Sequence, residues 1–159
     1  MRNSLAIFEA IVRRVARFVP NSHELPTELH PFEARNIHPA LPTVVRNLFD
    51  NGHYAQATFE AFKFIDNEVA RHSSPSGSGK RLMMTAFSES SPEIRLNPLR
   101  TTSERDEQEG FKFLFAGGMM AIRNPRGHKH AMQDDPDVCL DHLAFASMLL
   151  RRLAEAGYK

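Results

Sequence analysis

Residues 121–130, AIRNPRGHKH, gather two arginines, a lysine and two histidines around an Asn-Pro step and a glycine. Arg123 carries a permanently charged planar fork that suits phosphate oxygens. His128 and His130 can take or give a proton near neutrality, because an unperturbed imidazole titrates at about pH 6.5. Asn124 can hold its neighbours by side-chain hydrogen bonds, and Gly127 leaves room for a bulky ligand or a close backbone. Between Gly110 and Gln133 the basic residues are Lys112, Arg123, Arg126 and Lys129, with no Asp or Glu among them. The stretch is therefore a local anion-attracting field in a chain whose formal net charge is only +1.

Each of these residues also has a plainer reading. Arg123 can be a helix-end cation that satisfies the dipole, Asn124 a helix stop before proline, and His128 a hydrogen-bonding surface residue. Arg126, Lys129 and His130 suit either a solvated face or contacts to a polyanion backbone. A zinc site shared by His128 and His130 is disfavoured, since no acidic residue precedes them and Asp134 and Asp135 follow only after a gap. The reading thus expects no metal and no cofactor.

The elements that must position this stretch are helical. Phe111, Phe115, Gly118 and Ile122 fall on one face of a helix expected over 104–122, with Glu104, Asp106 and Glu107 at its positive end. Gly117 and Gly118 cost about 1 kcal/mol each in a helix, so a close helix contact, within or between copies of the chain, is their compensation. Glu109 on the same helix is a solvated position or a carboxylate that orients a nearby cation. Pro125 disfavours helical geometry at Asn124. On one continuous helix, Arg123 and His128 would stand about 140° apart at about 100° per residue. A kink at Asn124-Pro125, or convergence from two subunits, is needed to bring such groups together.

Elsewhere, 53–72 is the clearest helix, with Tyr54, Thr58, Ala61, Ile65 and Val69 along one side and Phe59, Phe62 and Phe64 widening the stripe. His53 reads as a turn or helix-start residue and Tyr54 as a core residue with a polar end. Residues 4–19 suggest a first amphipathic helix, 38–50 a helix started by Pro39, and 80–88 a short helix. Asp135 and Pro136 offer an N-cap and N1 residue to a last helix faced by Leu140, Leu143, Ser147, Leu150 and Leu153. Residues 73–79, SSPSGSG, read as a flexible loop, and 91–102 as an extended excursion able to form a small hairpin. The fold class is all-α, a helical bundle in a single domain over 1–159.

RNPRGH resembles the R-N-x-x-x-H form of the Arg-to-His motif of HEPN-superfamily ribonucleases. GHYAQATFEAFKFIDNEV at 52–69, which contains His53 and Tyr54, and GFKFLFAGGMMAIRNPRGHKH at 110–130 are similar to the Ymh-type branch of that group. The resemblance implies a helical bundle that dimerises with the motif of each subunit facing a shared cleft. It implies metal-independent RNA cleavage in toxin-antitoxin or phage-defence systems, beside an antitoxin or defence partner. In other members it implies a non-catalytic module that binds RNA or protein. Carried over, Arg123 grips phosphate, Asn124 organises the site and His128 is catalytic, with Arg126, Lys129, His130 and Lys112 as candidate substrate contacts.

That chemistry is coherent. Cleavage through the 2′-hydroxyl needs a base, an acid for the leaving 5′-oxygen, and fixed positive charge on the phosphoryl oxygens. Two copies of His128 in a two-fold dimer supply both proton carriers, and the products would be 2′,3′-cyclic phosphate and 5′-hydroxyl ends. The lone Cys139 excludes an intramolecular disulfide and a thiolate-rich metal site. No apolar run reaches the roughly 18 residues of a membrane span, so the expected address is the cytoplasm without a membrane partner.

Overall fold

A computed structural model describes residues 29–74, 77–128 and 132–158. The amphipathic segment expected at 4–19 lies outside the described residues, as do Lys129 and His130. The described chain is an all-α bundle with no strands.

The helices are α1 (Pro31–Ala34), α2 (Thr43–Asp50), α3 (Tyr54–Arg71), α4 (Gly79–Ala86) and α5 (Thr102–Gly117). A π-helical segment, Gly118–Arg123, follows α5 and leads into α6 (Asn124–His128); α7 (Pro136–Glu155) ends the bundle. α2 starts later than the expected Pro39, with Pro42 as its N-cap in extended geometry at φ −56° and ψ 143°. Two prolines this close cannot share a first turn, because Pro42 pushes Leu41 out of the helical region. α7 begins as expected: the Asp135 side chain accepts from the Val138 amide and Pro136 occupies the first turn.

The hairpin expected within 91–102 does not form. Its bent backbone is tied instead to the buried side chain of Gln108, whose carbonyl accepts from the Leu96 amide at 2.9 Å while its amide donates to the Ile94 carbonyl at 2.9 Å. One carboxamide thus satisfies two backbone groups of the segment, while the Ile94 amide bonds the Ala86 carbonyl and the Arg95 amide the Tyr158 hydroxyl. Thr101 and Glu104 then close a reciprocal capping box that starts α5.

The core is held between α3 and α7, with Phe62, Ile65, Leu143 and Leu149 fully buried, and is extended by Phe115 and Met119. Phe115 stacks on Phe87 with ring centroids 4.4 Å apart. Gly118 is buried where α5 passes into the π segment, and a Cβ there would stand 2.8 Å from Phe62 and 3.3 Å from Phe145. Gly118→Ala is expected to destabilise the fold by about 1–3 kcal/mol through overpacking, read as a lower urea midpoint at unchanged slope. A Cβ at Gly117 would meet nothing within 4 Å, so only one of the two glycines serves internal packing.

The expected break at Asn124 is also absent. Asn124 has φ −62° and ψ −43°, and the helix runs on through His128. A proline ring normally crowds the carbonyl four residues back, and the π turn immediately before Pro125 widens the helix where that carbonyl lies. The same widening shifts the register of every side chain after Gly118.

Candidate functional site

Arg123, the last residue of the π segment, leans toward α3 and α4. Its guanidinium lies 3.7 Å from the Asp66 carboxylate and over the Phe59 ring at 5.6 Å. Asp66 is buried, and its other oxygen accepts the Gly79 amide at 2.7 Å. One carboxylate thus anchors the start of α4 and faces Arg123. A separation of 3.7 Å is an ion pair and not a hydrogen bond, so the Arg123 donors are not consumed by it. Nε of Arg123 is buried and has no hydrogen-bond partner among the described residues. Gly79 adopts φ +61°, a left-handed conformation that suits glycine, and a Cβ there would lie 3.7 Å from the Arg123 guanidinium.

Arg123 and Asn124 share a cleft of about 550 Å³ with Ser78, Gly79, Lys80 and Arg81. Among the described residues its lining contains three cationic side chains, Arg123, Lys80 and Arg81, and no carboxylate. Arg123 therefore opens onto a positive hollow made by the start of α4, where the loop expected over 73–79 meets the short helix expected over 80–88.

His128 is exposed on α6 and does not line this cleft. It shares a face with Asn124, one helical turn before it. Before it, the surface of the same helix leaves Ala121 and Leu114 exposed and Gly117 half-exposed, with Met120 at 48% exposure and Phe113 at 54%. Within one protomer the helix presents Arg123 inward toward the α4 cleft and His128 outward on an apolar, small-residue face.

Two candidate phosphate contacts are engaged elsewhere. Arg126 forms a bidentate pair with Asp134, at 2.6 Å through Nε and 2.8 Å through Nη2, and also donates to the Ile122 carbonyl at 2.8 Å. Both side chains of the pair are about 95% buried, at 4% and 5% exposure. Arg126 is thus a structural cation that ties α6 to the approach of α7, not a free substrate contact. Lys112 lies between Glu89 at 2.7 Å and Glu109 at 3.4 Å with its side chain 8% exposed. The hydrogen bond that Lys112 donates to Glu89 first, and the one it donates to Glu109 after it, hold the ammonium above its ordinary pKa. Lys112 is therefore a buried salt-bridge residue; Glu109 does orient a cation, but one outside the cleft.

His53 precedes α3, where its amide donates to the Leu48 carbonyl at 2.8 Å. Tyr54 packs edge-on against Phe49 with ring centroids 5.2 Å apart. Neither lines the Arg123 cleft. Gly127 packs against α3, where an added Cβ would stand 2.8 Å from Phe59. The room it gives is taken by the ring that also underlies Arg123. Cys139 is buried beside Thr58, whose hydroxyl donates to its sulfur at 3.5 Å, and burial pushes its thiol pKa up. It is a packing residue. His142, near the Arg126 pair, is pushed down in pKa by burial first and by the Arg126 charge second.

Asp66, Lys80 and Arg81 were not legible as site residues. Asp66 carried one signal: it occupies the apolar stripe of α3, between Phe62 and Val69 at helical spacing, where an unpaired carboxylate is costly. Among the described residues there is no group of three or more His, Cys, Asp or Glu placed to hold a metal ion. Nor is any described helix long and apolar enough to cross a membrane.

Residues 35–153 match the family described as Protein of unknown function (Hypoth_ymh). No curated protein and no solved structure matches the chain.

Proposed function

The chain belongs to the Hypoth_ymh family, and from that premise we propose that it is a metal-independent endoribonuclease of the HEPN kind, acting as a homodimer in a toxin-antitoxin or phage-defence setting. The observation that carries the reading is the Arg123 guanidinium, set against buried Asp66 and open to a cleft that, among the described residues, adds Lys80 and Arg81 and no carboxylate. A fixed arginine in such a hollow suits a phosphodiester, whose charge grows on the phosphoryl oxygens in the transition state. Arg123 grips that phosphate, Asn124 lines its path and His128 carries the proton.

The position of His128 favours a dimer. A continuous helix separates it from Arg123, so the proton carrier and the phosphate grip meet only if a second copy closes over the face of Leu114, Gly117, Ala121 and Asn124. Exposed Phe113 and Met120 beside that face support such a contact, and the small residues let two helices approach closely. Each protomer then brings one His128, which gives the cleavage both a base and an acid. The same separation of Arg123 from His128 also supports a second reading, a non-catalytic module that binds RNA or protein through the cleft.

Cleavage of mixed cellular RNA in EDTA tests the two. The expected result is fragments ending in 2′,3′-cyclic phosphate and 5′-hydroxyl from the wild type, with none from folded His128→Ala protein. A folded dimer that binds RNA and leaves it intact, with affinity unaffected by His128→Ala, would establish the binding module instead.

A further inference from the structure

Lys80 and Arg81, at the start of α4, have no role in the chemistry assigned to Arg123, Asn124 and His128, yet they form one wall of the same cleft. Both are exposed, and neither has a carboxylate within 4 Å among the described residues. The other exposed cations nearby in sequence are mostly balanced: Lys63 pairs with Glu60 at 3.0 Å, and Arg71 pairs with Glu68. Asp66, the acidic group that faces Arg123 behind the cleft, is buried, and one of its oxygens is spent on the Gly79 amide. Its remaining charge offsets Arg123 and leaves Lys80 and Arg81 uncompensated.

The way α4 begins adds to this. Ser78, its N-cap residue, makes no side-chain cap bond, and Gly79 enters the helix from a left-handed conformation. The first turn of α4 therefore brings its partial positive charge to the cleft together with the two side chains. A hollow of about 550 Å³ is larger than one phosphate needs, and its cations stand on two walls, Arg123 from the π segment and Lys80 with Arg81 from α4.

We propose that Lys80 and Arg81 form a second phosphate subsite, which holds the nucleotide next to the one gripped by Arg123, so that the cleft recognises a single-stranded polyanion by its backbone. This rests on the reading of the cleft as a nucleic-acid site, and it does not require that cleavage occur. A subsite built from a lysine, an arginine and helix amides carries no means of reading base edges; it sets register and affinity and leaves sequence choice to other contacts.

The test uses a short single-stranded 2′-deoxy oligonucleotide, which offers the same phosphates but lacks the attacking 2′-hydroxyl and stays intact on the wild-type protein. Affinity is measured against salt for wild type, Lys80→Ala, Arg81→Ala and the double variant, with exposed Arg105→Ala as a control for loss of general charge. Lys80 and Arg81 are exposed, so the fold should survive, which a thermal melt verifies. The expected result is a fall of about 0.7 in the slope of log K against log salt for each residue removed, equal across oligonucleotide sequences, with no change for Arg105→Ala. Unchanged slopes in the double variant, a loss no larger than that of Arg105→Ala, or no binding of the oligonucleotide by the wild type would each overturn the subsite. Loss of the slope in a protein that never cleaves RNA would keep the subsite and remove only the ribonuclease reading; cleavage by the double variant with wild-type RNA affinity would do the reverse.

Discussion

Arg126→Ala is expected to destabilise the fold by about 3–5 kcal/mol, because it leaves the Asp134 carboxylate buried without its partner. The expectation follows from the burial of both side chains and from a geometry in which Arg126 uses three nitrogens, two on Asp134 and one on the Ile122 carbonyl. Arg126→Lys is expected to lose much of the same stability, since an ammonium cannot reproduce a planar two-pronged contact. Removing both charges at once, as Arg126→Met with Asp134→Leu, is expected to be far milder than either single loss, because no charge is then stranded. Urea unfolding of wild type, Arg126→Met, Asp134→Leu and the double variant measures the cycle. A single-variant loss below about 1 kcal/mol would show that the pair is hydrated and not buried. The pair also bears on function, since it fixes α6, and hence His128, against the approach to α7. A loss of RNA cleavage in Arg126→Ala would therefore report the position of α6 and would be no evidence that Arg126 touches phosphate.

The contrast between Arg126 and Arg123 shows where the sequence was legible. Both are arginines in a basic stretch that lacks acids, and local composition makes them equivalent. What separates them lies outside the stretch: Asp134 comes to Arg126 from just before α7, whereas Asp66 comes to Arg123 from α3. Lys112 was lost as a substrate contact for the same reason, since Glu89 lies across the fold from it. The helices themselves were readable because their signals are local. α3 and α7 follow their apolar stripes almost residue for residue, and Asp135-Pro136 marks a helix start wherever it falls. The hairpin near 91–102 failed because Gln108, a residue with no strand signature, satisfies that backbone from a neighbouring helix. The continuation through Pro125 was hidden because a π turn has no simple sequence mark. The cleft was half legible: Arg123 and Asn124 stood out by type, while Lys80 and Arg81 were masked by the Gly/Ser-rich stretch that leads into α4.

His128→Ala is expected to reduce RNA cleavage by about 10²–10⁴-fold if the imidazole carries a proton in the transition state, with the fold intact because the side chain is exposed. The placement of His128 on the outward face of a continuous helix makes a stronger prediction for mixed dimers. If the two histidines act as base and acid over one shared phosphate, a dimer with one wild-type and one His128→Ala subunit lacks one of the two proton carriers. After subunits are exchanged at equal amounts, wild-type pairs make up about one quarter of all dimers, and activity should fall to about that fraction of an equal quantity of wild-type dimer. Two independent sites, each using a single histidine, would retain about one half under the same conditions. Activity that simply tracks the amount of wild-type chain would therefore overturn the shared-histidine arrangement while leaving cleavage itself in place. Arg123→Ala extends the argument. When it is mixed with His128→Ala, activity should remain near the level of either mutant alone, because no pairing restores both histidines and both arginines over one phosphate. Strong recovery would mean instead that Arg123 of one subunit works with a single His128 of the other, each pair forming a separate site across the helix face that contains Gly117 and Ala121.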